Sequence, residues 1–299
     1  MKITLLTSNK NRHNYLINLL STISDELFVI QECSTIFPGV IPGHYQASPI
    51  MKKYFENVNS AQSKLFGNSY VNNFKKNIKI LPMLSGDLNK CSMDLLSDFL
   101  KSDVYVVFGS SYIKGELVDF LVEQRAINIH AGVSPYYIGT DCNFWALYDD
   151  NPHLVGTTIH LLSKGLDSGP MLYHAMSNIK TSPFEYTMST IKSAVHSIAE
   201  RIKDNSIFKI NPEAQDKSKE IRYSKKNEFN EEIVKEYFEK VINLNNKKLD
   251  NSLLKEPFFL DNYTLLSCYR RSCEYNGQIL FFDFIELFFC IMSKDNGNL

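Results

Sequence analysis

The chain has 299 residues, of which 44% are hydrophobic and 22% charged, and its formal net charge is −1. That length suits one large domain, or a medium domain with a smaller one, and the composition is ordinary for a globular protein. The near-neutral charge balance gives no sign of a nucleic-acid or anionic-membrane partner.

The opening Lys2–Thr7 reads as a buried strand, not a signal peptide, because its apolar run stops at Ser8. Leu16, Leu19, Leu20 and Ile23 recur at helical spacing and predict a helix over 11–24, with a second strand at Leu27–Gln31. Strand–helix–strand is the start of a parallel α/β sheet. Arg12 and His13 follow the carboxyl end of the first strand, where open α/β sheets bind ligands, and are equally readable as solvated first-turn residues. Cys33–Pro49 holds prolines and glycines without a period and predicts a long loop of the kind that often carries function. His44, Tyr45 and Gln46 are its candidate substrate contacts.

Met51–Lys76 reads as mostly helical with a break near Gly67-Asn68. Ile78–Pro82 and Val104–Phe108 read as strands, and Met93–Leu100 and Gly115–Leu121 as helices. Ala126–Ile129 is a strand that delivers His130 at its end. β-Branched residues at Val155, Thr157, Thr158 and Ile159 predict a strand over Leu154–Leu162, paired with Met171–His174 across a turn. Pro183 opens a helix that ends near Asp204-Asn205. Asn211–Asn227 is polar and reads as a linker, followed by a helix at Phe229–Ile242. Asp283, Glu286, Cys290 and Ser293 predict a helix with a narrow polar stripe. The division expected is 1–206 and a small C-terminal module at 207–299.

The six cysteines, at 33, 91, 142, 268, 273 and 290, show no metal-site spacing, so reduced thiols and no metal are expected. The longest apolar run, Ile279–Met292, contains two acids and is too short to cross roughly 30 Å of hydrocarbon. A cytoplasmic protein without a membrane span is the expectation.

The stretch Ala126–Pro170 carries the chemistry. Asn128 and His130 share a strand face because side chains alternate. Asparagine can donate to a developing oxyanion, and histidine can donate a proton or stabilise charge. Asp167 sits in the turn G-L-D-S-G-P, where an aspartate ordinarily caps its own backbone. Singly, each residue has an adequate structural explanation. No nucleotide-binding glycine motif and no serine-nucleophile elbow occurs.

The ordered set N-x-H, Pro-Tyr-Tyr-x-Gly, W-A-L, G-x-T-x-H and L-D-S-G-P resembles the folate-dependent formyltransferases, a family with methionyl-tRNA, glycinamide ribonucleotide and sugar N-formyltransferases. The resemblance covers roughly residues 1–206. It implies a Rossmann-like formyltransferase domain with a mostly parallel sheet, using N10-formyltetrahydrofolate as co-substrate. Asn128, His130 and Asp167 would then be catalytic. Val107, Phe108, Gly109, Ser110, Ile113, Gly165 and Leu166 would bind the folate, and Tyr136 and Tyr137, with His44 and Tyr45, would shape the acceptor side. Ile138 stands where many members carry arginine, which puts any anion contact of that arginine in doubt. Trp145 reads as core and His160 as supporting structure.

Residues 207–299 carry 14 Lys and Arg against 15 Asp and Glu, a balance that does not suit a tRNA-binding surface. Glycinamide ribonucleotide enzymes are usually shorter single domains. A nucleotide-linked amino sugar is the acceptor favoured by elimination, with methionyl-tRNA or another small amine as the alternative. Hydrolysis of formyltetrahydrofolate is the alternative from another reaction class. A homodimer through the C-terminal module is also expected.

Overall fold

The structure is a computed structural model that describes residues 1–34, 48–69, 71, 75–177 and 182–241, with two strands at 271–275 and 278–282. The chain begins β1 (Lys2–Ser8), α1 (Asn11–Leu20), β2 (Glu26–Cys33), α2 (Pro49–Phe66) and β3 (Ile78–Leu84). It continues α3 (Met93–Leu96), β4 (Val104–Phe108), α4 (Gly115–Glu123), β5 (Ile127–His130), β6 (Tyr137–Gly139) and α5 (Cys142–Tyr148). Then come β7 (Thr157–Leu161), β8 (Met171–Ala175), α6 (Pro183–Lys203), β9 (Arg222–Ser224) and α7 (Glu231–Val241). An antiparallel hairpin of β10 (Arg271–Tyr275) and β11 (Gln278–Phe282) completes the described elements.

Seven strands form the main sheet in the order β3-β2-β1-β4-β5-β7-β8. The first five are parallel, and β7 and β8 each run antiparallel to the strand before them. Both faces of the sheet are covered, as parallel strands require. Ile3, Leu5, Val29 and Val106 pack with α1, α2, α5, α6 and α7 on one side. Leu6, Ile30, Tyr105 and Val107 pack with α3 and α4 on the other. The alternation of Leu5 and Leu6, or Val106 and Val107, between the two cores is the period of two expected of a strand.

Local chemistry sets the helix ends. Ser48 caps α2 by accepting from the Met51 amide, with Pro49 in the first turn, and Gly67 closes it at φ +66°. Ser92 and Ser182 cap α3 and α6 in the same way. The helix expected over 11–24 stops at Leu20, because the Ser21 and Thr22 hydroxyls bond back to Asn18 and Leu19 carbonyls. The helix expected to continue to Lys76 ends at Phe66. Met93–Leu100 is one α-turn that tightens into a 3-10 turn at Ser97. The strand expected from Leu154 begins at Thr157, because Pro152–Leu154 forms a 3-10 turn.

Asn211–Asn227, expected to be a linker, is structured and attached. Glu213 exchanges two backbone hydrogen bonds with Met171 of β8, and β9 pairs in parallel with β6. Gly139 makes that pairing possible: its φ is +101°, and a Cβ there would lie 2.1 Å from the Ser224 carbonyl oxygen. Arg222 on β9 holds Asp149 with two hydrogen bonds of 2.8 and 2.7 Å and lies over the Trp145 ring. Val234, Tyr237 and Val241 of α7 enter the same core as Phe144 of α5 and Tyr54 of α2. Phe144 stacks on Tyr237 with ring centroids 4.3 Å apart. The helix expected around Asp283, Glu286, Cys290 and Ser293 lies outside the described residues, and so do His44, Tyr45 and Gln46. No helix among the described residues is long and apolar enough to cross a membrane.

Candidate active site

β4 and β5 end side by side, and past their carboxyl ends lies a cavity of about 310 Å³. Ligand clefts in open α/β sheets form at such strand ends. Asn128, His130 and Asp167 all line this cavity, although 36 residues of chain separate His130 from Asp167 in number, a gap bridged by α5, β7 and the turn after β7.

The antiparallel pairing of β5 with β7 sets the geometry. It places Asn128 opposite His160 and His130 opposite Thr158. Thr158 accepts from the Ser134 amide and donates to the Gly132 carbonyl, which pins the turn that follows His130. His160 is buried, and burial holds its pKa down to about 4, so its ring is neutral. Its Nδ1 lies 2.8 Å from the Leu161 carbonyl and its Nε2 lies 2.9 Å from Asn128 Nδ2. With Nδ1–H donating to the carbonyl, Nε2 accepts from Asn128 and fixes which way that carboxamide faces. The second N–H of Asn128 is not engaged by any described residue.

His130 is buried, with Nδ1 3.3 Å from Asp167 Oδ2 and Nε2 3.2 Å from the Tyr137 carbonyl oxygen. Both ring nitrogens therefore face acceptors. Asp167 adopts φ +45°, a left-handed conformation uncommon for a residue with a side chain. That turn directs its carboxylate to His130 and does not leave it to cap its own backbone.

The opposite wall is the segment 107–113. Val107, Phe108, Gly109, Ser110 and Ile113 line the cavity, as do Gly165 and Leu166 of the Asp167 turn. Tyr112 donates to the Lys164 carbonyl at 2.5 Å and so links the two walls. Two supports of this segment have no motif in the sequence. The buried Glu32 carboxylate at the end of β2 accepts from the amides of Ser111 and Gly86 and from the Ser111 hydroxyl. His13 packs on Phe108 with ring centroids 4.5 Å apart and a 30° tilt, and lies so close to Gly109 that a Cβ there would lie 2.3 Å from its ring. Burial lowers the His13 pKa well below the usual value, and its Nδ1 is within reach of the Thr7 hydroxyl and the Phe108 carbonyl.

Arg12 also lines the cavity and donates to Gln62 of α2 at 2.7 Å. Beside it, burial followed by repulsion from Arg12 lowers the Lys10 pKa to about 8. Tyr136 and Tyr137 are buried and do not line the cavity. The Tyr137 hydroxyl accepts from Asn151 at 2.8 Å, and burial raises its pKa to about 12. Trp145 is buried in the core, as its sequence context implied.

Residues 87–205 match the model of a family described as formyl transferase. Over 73 residues the chain is 37% identical to the methionyl-tRNA formyltransferase of Thermosynechococcus vestitus, a match that spans 24% of this chain and 22% of that protein. An N-formyltransferase from Helicobacter canadensis, crystallised with folinic acid and dTDP-3-aminofucose, superposes with a TM-score of 0.52 at 10% identity, covering 95% of this chain and 96% of its own. A 4-N formyltransferase from Francisella tularensis gives 0.46 at 15% identity, covering 94% and 96%.

Proposed function

We propose that this chain, whose residues 87–205 match the formyl transferase family model, transfers the formyl group of N10-formyltetrahydrofolate to the amine of a nucleotide-linked amino sugar. The observation that carries the reading is the meeting of Asn128, His130 and Asp167 at one cavity wall, with His130 Nδ1 3.3 Å from the Asp167 carboxylate. Formyl transfer needs donors aimed at a carbonyl oxygen and a group to take a proton from the amine, and those three residues supply both.

A neutral amine attacks the formyl carbon, a C–N bond forms, and negative charge gathers on the formyl oxygen. Asn128, through the N–H not used by His160, stabilises that charge, and His130 does so as its Nε2 turns from the Tyr137 carbonyl to the formyl oxygen. One such donor contributes about 3–4 kcal/mol to the barrier. Asp167 orients His130 through Nδ1 and takes the amine proton, directly or through water, as the bond to N10 breaks and N10 is protonated. The segment 107–113 and the turn 165–166 would hold the folate between them, and the polar edge from Lys10 and Arg12 gives the acceptor an electropositive approach. The neutral charge balance of 207–299 favours a small acceptor over tRNA. A fold neighbour crystallised with a dTDP-linked amino sugar and folinic acid is consistent with that choice.

The test is incubation with N10-formyltetrahydrofolate, first alone and then with a panel of nucleotide-linked amino sugars. Tetrahydrofolate release and a mass gain of one formyl group, both only on adding an acceptor, are expected. Rapid release without any amine would identify a hydrolase and reject transfer. Replacing His130 or Asp167 by alanine should reduce turnover by about 10²–10⁴-fold, and undiminished activity would reject the site.

A further inference from the structure

The turn that presents Asp167 is held from outside the stretch that matches the family model, by a side chain at position 215. Gln215 Nε2 donates to the Asp167 carbonyl at 2.6 Å and to the Gly169 carbonyl at 2.8 Å. One carboxamide nitrogen thus uses both of its hydrogens on the two carbonyls that flank Ser168. Gln215 is itself delivered by the backbone: Glu213 exchanges hydrogen bonds with Met171 at 2.7 and 2.9 Å, which extends the sheet edge beside β8. Its Oε1 is buried and has no hydrogen-bond partner among the described residues.

The rest of the turn is fixed on its other sides. Leu161 donates its amide to the Pro170 carbonyl, and the Ser163 and Ser168 hydroxyls lie 2.9 Å apart. Neither contact reaches the peptide of Asp167, whose φ of +45° is an uncommon conformation that needs outside support. Gln215 is the described side chain that binds the Asp167 carbonyl.

From this geometry we infer that Gln215 is a positioning residue for catalysis. It fixes the Asp167 peptide so that the carboxylate stays on His130 Nδ1, and it makes the segment after α6 part of the active site. The inference rests on the catalytic role proposed for Asp167. A misplacement of about 1 Å in a catalytic group can cost 10²-fold in rate, whereas substrate contacts made by the other wall would be little changed.

The test uses the full chain and three variants. Gln215→Glu keeps the length of the side chain but sets a carboxylate against two carbonyls, and Gln215→Ala removes the donor. Lys217→Ala, on the exposed turn just beyond, is the control. Both Gln215 variants should lose about ten- to a hundredfold in kcat, with KM for donor and acceptor changed less than about threefold. Amide hydrogen exchange should rise across 163–170 and not elsewhere. Wild-type kcat in both Gln215 variants, a loss equalled by Lys217→Ala, or exchange raised uniformly along the chain would each overturn the inference. Exchange is read without turnover. Should Asp167→Ala keep its activity, the catalytic reading of Asp167 falls instead, and the exchange result still reports whether Gln215 orders the turn.

Discussion

Asn128 shows how a single polar residue acquires a defined role. Its carboxamide is held by the neutral ring of His160, whose Nδ1 is committed to the Leu161 carbonyl. Replacing Asn128 by alanine removes the proposed oxyanion donor, and kcat should fall by about 10²–10³-fold. Replacing His160 by alanine leaves the donor in place but free to rotate. It should lower kcat by about tenfold while KM for the formyl donor stays near wild type, since proximity without orientation forfeits only part of the effect. Steady-state kinetics of both variants separate these outcomes, and equal losses would mean that His160 is more than a support. The motif N-x-H was visible in the sequence, and so was T-x-H. That one histidine faces Asp167 and the other fixes Asn128 was not, because those roles follow from a strand register that joins residues 32 positions apart.

At the level of elements, the pairing of β6 with β9 joins the turn after His130 to the segment beyond α6. Gly139 is its narrowest point, with positive φ and the Ser224 carbonyl where a Cβ would be. Gly139→Ala should destabilise the fold by about 1–3 kcal/mol through backbone strain alone. It should also displace the Tyr137 carbonyl that faces His130 Nε2, so a lowered urea midpoint and a reduced kcat are expected together. An alanine variant with the wild-type midpoint would show that the strand pair tolerates the shift. Here the sequence reading failed for a definable reason. Asn211–Asn227 is polar and aperiodic, and a three-residue strand such as β9 leaves too few alternations to detect. The energetic tie lies in one guanidinium on Asp149 and one glycine that lets two backbones meet, and neither leaves a pattern.

Across the molecule, two kinds of experiment test how the parts depend on each other. α7 places Tyr237 against Phe144 inside the core of residues 1–206, and Tyr237 is almost fully buried. Tyr237→Ala should therefore cost about 3–5 kcal/mol, measured by urea unfolding, and a loss below about 1 kcal/mol would mark α7 as an independent module. Buried histidines give the second test. His160 is held near 4 in the folded chain, and unfolded it titrates near 6.5. Between those values the unfolded chain binds the extra proton, so stability increases with pH and is lost as pH falls from about 6.5 toward 4. The shift corresponds to about 3 kcal/mol for His160, and His13 acts in the same direction. His160→Gln should flatten the decline between pH 7 and 4.5, and an unchanged slope would assign the loss elsewhere. By itself the sequence determined the α/β class, most strand positions and the candidate triad, because alternation, helical spacing and an ordered motif set are local in the chain. Only the tertiary structure decided that Glu32 and His13 brace one wall of the cavity and that Gln215 holds the other. Those contacts join residues tens of positions apart, one side chain makes each of them, and no local periodicity records which group a distant side chain will reach.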